Sequence, residues 1–118
     1  MILGKVNPQE EPEIPVTLIF NGKRRREKAI LDTGFNGYLS IPSSLVKGWY
    51  FFGYEKYEIA TGDIVEEKVY LGKIFWNNKE QDVYAVTSHS QDILIGTKLL
   101  RRNRLTIDFP KKKVWIRS

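Results

Sequence analysis

Ala29-Ile30-Leu31-Asp32-Thr33-Gly34 is the stretch on which the reading of this chain turns. Apolar residues run straight into a carboxylate, a hydroxyl and a glycine. The run predicts the end of a buried strand, and the glycine predicts a close backbone turn that offers an N–H to the carboxylate. A charge at the end of a buried strand is costly unless it is hydrogen-bonded or neutralised. Two such carboxylates side by side meet that cost by sharing one proton. The charged member then takes a proton from water while the protonated member donates to a carbonyl. The plainer alternative is a turn in which Asp32 only caps its own loop.

Working outward, Ile14 to Phe20 alternates, with Val16, Leu18 and Phe20 on one face and Thr17 and Ile19 on the other, as a strand does. Asn21-Gly22 predicts a hairpin turn, because both residues tolerate positive φ, and Glu27 to Leu31 is the return strand. Beyond Gly34, Phe35-Asn36-Gly37 reads as loop, Tyr38 to Ile41 as a short strand, and Pro42 to Val46 as one helical turn. Tyr54 to Ala60 and Ile64 to Trp76 are two long strands joined by a tight turn at Thr61-Gly62-Asp63. Asn77-Asn78-Lys79 is another turn and Gln81 to Thr87 another strand. Asp92 to Ile95 is a short apolar strand closed by Gly96. Thr97 to Arg102 is the one good helix, with Leu99 and Leu100 facing inward. Leu105 to Phe109 and Val114 to Ile116 close the chain around Pro110-Lys111, and residues 1 to 13 read as an N-terminal arm with a short strand near Ile2-Leu3. The fold class is mostly β: a small closed, barrel-like sheet with one short α-helix. Ile93-Leu94-Ile95-Gly96 also echoes Ile30-Leu31-Asp32-Thr33-Gly34, with the aspartate missing.

Composition narrows the chemistry. At 118 residues the chain suits a single domain, 1–118, and leaves no room for two lobes. A hydrophobic share of 42% argues against disorder. No stretch approaches a membrane span, and Met1 to Lys5 has neither the basic leader nor the apolar run of a signal peptide; the expectation is a cytoplasmic protein without a membrane partner. With no cysteine there is no disulfide, thiol nucleophile or thiolate metal site. The single histidine, His89, lies in a polar run, and no serine has a nucleophile-elbow context. Zinc hydrolases need several ligands at defined spacing, which are missing, so neither a metal nor another cofactor is expected. A hydrolytic site here must run on carboxylates.

The net charge of +5 comes from Lys23-Arg24-Arg25-Arg26, from Arg101, Arg102 and Arg104, and from Lys111-Lys112-Lys113. Each cluster is read at a turn or a helix end, as solvated charge that discourages sheet aggregation, in preference to a nucleic-acid surface. The aromatic run Trp49-Tyr50-Phe51-Phe52 with Tyr54 is read first as core and support for the following hairpin, and second as apolar walls for a substrate.

Asp32-Thr33-Gly34 after apolar residues resembles the signature of the aspartic peptidases. Leu94-Ile95-Gly96 followed by a helix resembles the second glycine element of the retroviral-type branch, and Asp32-Thr33-Gly34-Phe35 is closest to its small prokaryotic members. The resemblance covers about residues 14 to 117. It implies an acid-protease barrel in which Asp32, Thr33 and Gly34 form the catalytic loop and Leu94, Ile95 and Gly96 thread beside it. It further implies that the Tyr54–Trp76 hairpin is a flap over bound peptide, with Thr61, Gly62 and Asp63 at its tip. Only Asp32 has the Thr-Gly context, so the implied dyad needs a second copy across a two-fold axis. The subunit termini, Met1 to Val6 and Val114 to Ile116, would then interleave into a shared sheet. Phe35 stands where many aspartic peptidases carry Ser, Thr or Ala; it has no side-chain donor, and activity is expected to extend toward neutral pH. The implied activity is endopeptidase cleavage of an extended peptide or protein. The competing reading is a catalytically silent module of the same fold that binds peptide or nucleic acid.

Overall fold

The computed structural model describes residues 1–118. One tight turn follows directly from the sequence. Asn21 and Gly22 both take positive φ, 50° and 79°, and join β2 (Pro12–Phe20) to β3 (Lys23–Leu31) in register from Phe20–Lys23 to Glu13–Ile30. Such a turn matches the right-handed twist of the strands it connects. Asn77 and Asn78, at φ 51° and 64°, do the same between β6 (Ile64–Trp76) and β7 (Lys79–Ser88).

β1 is Ile2–Val6. After β3 come β4 (Leu39–Pro42), a single 3-10 turn at Ser43–Leu45, and β5 (Tyr50–Glu58), which pairs with β6 as a long hairpin. β7 is followed by β8 (Ile93–Ile95), the single-turn helix α1 (Thr97–Leu100), β9 (Arg104–Asp108) and β10 (Lys113–Arg117). All ten strands belong to one sheet, in the order β5-β6-β7-β4-β8-β3-β2-β1-β10-β9. β6 also pairs with β2, through Thr17–Phe75, Leu18–Ile74 and Ile19–Lys73. That contact closes β6, β7, β4, β8, β3 and β2 into a six-strand barrel, which removes most open edges.

The barrel is filled by Ile14, Val16, Leu18, Leu39, Ile41, Ile74, Trp76, Ala85 and Ile95, all buried. Each fully buried Leu or Ile contributes about 1.5–3 kcal/mol relative to exposure. Leu99 and Leu100 turn inward from α1 and cap this core, as their sequence positions predict.

Several expectations are corrected. Lys23 to Arg26 lie on β3, not in the turn: the strand starts immediately after Gly22, and its first half pairs only with β2. The helix stops at Leu100 because Asn103 and Arg104 already lead into β9. The terminal strands pair with each other inside one chain, Ile2–Ile116, Leu3–Trp115 and Gly4–Val114. Of the aromatic run, only Trp49 turns inward. Its ring stacks on Phe20 at 4.8 Å, and its indole N–H donates to the Ile19 carbonyl at 2.8 Å. Tyr50, Phe51, Phe52 and Tyr54 are exposed, because β5 is an outer strand that projects beyond the barrel. They brace the hairpin by edge-on ring contacts, Phe51 with Tyr54 and Tyr70, and Phe52 with Tyr84.

Candidate active site

The two echoing segments lie side by side. β3 and β8 run parallel, with Ala29–Ile93, Ile30–Leu94 and Leu31–Ile95 in register. The pairing continues one residue further, where the Asp32 N–H donates to the Ile95 carbonyl at 2.9 Å. Asp32 is thereby held at the last rung of a buried ladder. Its carboxylate Oδ1 accepts the Gly34 N–H at 2.9 Å, and the Phe35 N–H returns to the Asp32 carbonyl at 3.1 Å.

The loop after Gly34 is stitched to the start of α1. The Thr97 N–H donates to the Phe35 carbonyl (2.8 Å), the Lys98 N–H to Gly37 (3.1 Å), and the Gly96 N–H to Tyr38 (3.0 Å). Gly96 must be glycine here, because a Cβ would run into the Gly37 carbonyl and the Phe35 ring and carbonyl. Phe35 therefore packs beside the Gly96 crossing, a role its place in the sequence did not announce. Thr33 is exposed, and its hydroxyl meets no partner within the chain.

Asp32 and Gly34 line a groove of about 770 Å³ with Phe35, Tyr38, Leu94 and Lys98. The wall opposite comes from the hairpin: Glu55, Tyr57 and Glu67. Glu55 and Glu67 are directly paired across β5 and β6, and the Tyr57 hydroxyl donates to Glu67 Oε1 at 2.7 Å. That bond first, then partial desolvation and the charges of Glu67 and Glu55, raise the Tyr57 phenol above its ordinary range. The tip residues Thr61, Gly62 and Asp63 lie beyond this groove. Gly62 takes φ 87°, and the Thr61 hydroxyl donates to Asp63 Oδ2 at 3.0 Å. The hairpin thus meets the Asp32 loop through its arms. Sequence reasoning missed Glu55, Tyr57 and Glu67; the period-two alternation that puts them on one face was the available signal. A somewhat larger groove, about 860 Å³, lies beside Gly4, Glu13, Arg26 and Asp92 and contains neither Asp32 nor the hairpin.

A closed six-strand barrel, with a long hairpin facing an Asp-Thr-Gly turn, has the retropepsin-like fold. Comparison with solved structures leads to the same class. The solution structure of the simian foamy virus (mac) protease is similar at TM-score 0.56 and 15% identity, over 74% of this chain and 91% of that one. The foamy viral protease-reverse transcriptase in complex with RNA/DNA hybrid matches at TM-score 0.56 and 14% identity, over 80% of this chain and 13% of that one. The foamy viral protease-reverse transcriptase dRH in complex with ds DNA matches at TM-score 0.53 and 15% identity, over 79% and 16%. This chain therefore spans a small part of the two longer proteins. No family model and no curated protein matches it.

Proposed function

We propose that the protein is an aspartic endopeptidase whose dyad consists of Asp32 and its copy in a homodimer. The observation that carries this reading is the placement of Asp32. It is half-buried at the end of β3, fixed through its own N–H to Ile95, with its carboxylate facing a groove that the hairpin walls on the other side. The fold shared with a viral protease supports the same chemistry. The motif Asp32-Thr33-Gly34-Phe35 alone supports a place near the small prokaryotic members.

The reaction balances without a metal. The charged carboxylate takes a proton from water as the water oxygen bonds to the peptide carbonyl carbon. The protonated partner carboxyl gives its proton to the carbonyl oxygen. Collapse of this tetrahedral diol breaks the C–N bond: the amine leaves with the dyad's proton, and one hydroxyl returns its proton to the dyad as the carbonyl re-forms, leaving a carboxyl product and a dyad that again holds one proton. An extended peptide lies in the groove against the hairpin arms, using backbone hydrogen bonds in the manner of an added strand.

The test is cleavage of a peptide library by wild type and Asp32→Asn, with and without a transition-state analogue that mimics the tetrahedral species. Hydrolysis by wild type alone, blocked by the analogue, is expected. Equal behaviour of the two proteins in every assay would favour the silent binding module.

A further inference from the structure

We infer that the free edge of β3, from Lys23 to Lys28, takes up an acidic, extended polypeptide segment as an added strand. This surface contains neither Asp32 nor the β5–β6 hairpin, so the inference stands apart from the peptidase reading.

β3 changes its neighbours partway along. Ala29 and Ile30 are paired on both sides, with β2 and with β8. Lys23 to Lys28 pair with β2 alone, and no other main-chain hydrogen bond reaches them. Every second residue of that stretch therefore turns its N–H and C=O outward, to the side that β8 occupies further on. Such a row is a template for another strand. The groove of about 860 Å³ adjoins it, lined by Arg26, Lys28 and Ile30 of β3, by Pro15 of β2, by Leu3 of β1, and by Asp92 just before β8.

The side chains set the chemistry of the occupant. Alternate residues of a strand share a face, so Arg24, Arg26 and Lys28 form one row, opposite the face on which Ala29 and Leu31 enter the core. None of the three has an acidic partner in the chain, whose salt bridges are Arg25–Glu27 and Lys73–Asp82. Their cross-strand neighbours on β2 are Ile19, Thr17 and Pro15, which carry no charge. Arg24 lies over the Phe75 ring, 4.8 Å from its centre, a contact that steadies the guanidinium and leaves its charge unneutralised. Of the acids in the groove, Glu27 is held by Arg25, and Glu13 accepts from the Asn7 side-chain amide at 3.4 Å. That leaves Asp92 alone against Lys5, Arg26 and Lys28.

A strand with Glu or Asp at alternate positions meets both features at once. Its main chain fills the edge, and its carboxylates fall beside the row of cations. Other occupants meet only one. A second copy of the same edge would set cation against cation, which is unfavourable. A phosphate backbone would meet the charges but bring no donors to the outward carbonyls. The same cations that discourage basic and apolar strands from adding to this edge thus admit an acidic one.

Fluorescence anisotropy tests this at low salt on the Asp32→Asn protein, which bears the same edge and keeps peptide cleavage out of the measurement. The probes are an end-labelled Thr-Glu-Thr-Glu-Thr-Glu-Thr peptide, the same peptide N-methylated along its main chain, its Lys-for-Glu counterpart, and a single-stranded oligonucleotide of equal charge. The acidic peptide should bind and slow amide exchange at Lys23 to Lys28. The methylated copy keeps the charge and loses the donors, so it should bind at least about tenfold more weakly. Arg26→Glu combined with Lys28→Glu should weaken the acidic peptide by about tenfold or more and take up the Lys counterpart instead. Thermal melting checks that this variant folds; if it does not, the methylated peptide decides the matter on the unreversed edge. No binding of the acidic peptide, equal binding of the methylated copy, or a folded reversed variant that still prefers Glu to Lys would overturn the added strand. Binding of the oligonucleotide without the peptide would also overturn it and assign the row to nucleic acid. Peptide cleavage by wild type, present or absent, bears on the Asp32 reading and leaves this result unchanged.

Discussion

The main-chain N–H of Asp32 donates to the carbonyl of Ile95 across 2.9 Å, joining the candidate catalytic loop to a strand far away in sequence. One residue later, Gly96 passes the same loop so closely that its missing side chain is what allows the contact. The aspartate's position therefore depends on a second segment that bears no reactive group. The mechanical link runs from β8, through the loop of Phe35 to Gly37, to the carboxylate.

Gly96→Ala tests that link. The added methyl meets backbone carbonyl oxygen on one side and the Phe35 ring on the other. Backbone cannot step aside as a flexible side chain can. Thermal or urea unfolding should show a loss of about 2–3 kcal/mol, and any peptidase activity should fall further than stability does, because the loop that moves carries Asp32.

Trp49 anchors the root of the hairpin. It stacks on Phe20, hydrogen-bonds to Ile19, and occupies the space that a side chain at position 72 would need. Trp49→Ala should cost about 3 kcal/mol, measured by chemical unfolding. Trp49→Phe keeps a ring against Phe20 and loses the indole donor, so it should cost about 1 kcal/mol. Gly72→Ala should behave like the alanine variant, because its methyl displaces the indole.

The Tyr57–Glu67 contact has a pH signature. The protonated phenol donates to the carboxylate; once ionised it cannot donate, and it faces Glu67 and Glu55 as a third negative charge. Its folded-state pKa is therefore raised. Any stability from the bond is fully present below the ordinary phenol range and is lost as pH rises through the raised value. Ultraviolet titration, with Tyr57→Phe subtracted to isolate this phenol, should place it above an ordinary tyrosine. Glu67→Gln should move it back down, since both the charge and the best acceptor are removed.

Much of this architecture was legible in the sequence because it follows from local rules. Asn21-Gly22 and Asn77-Asn78 have the backbone freedom their turns need, and the two alternating runs around Gly62 give the hairpin. The errors have physical causes. Lys23 to Arg26 show no apolar alternation because the first half of β3 lies at the sheet margin, with little to bury on either face. Alternation in Tyr50–Glu58 is blurred where the register shifts between Phe51 and Gly53, which hid the start of β5. Asp32 stood out as a site because its motif is local. Glu55, Tyr57 and Glu67 did not, because they join the groove only when the hairpin folds back over the barrel. The pairing of β1 with β10 joins the two ends of the chain, and nothing local marks it.

The most direct test of a site shared between two copies is to mix them. Wild type and Asp32→Asn are combined at fixed total concentration, allowed to exchange subunits, and assayed for peptide cleavage. If each dyad needs one aspartate from each of its two chains, mixed dimers are dead, and at equal proportions about one quarter of the wild-type activity remains. Activity that falls only in proportion to the wild-type share, to about one half, would mean that each chain works alone and would contradict the account.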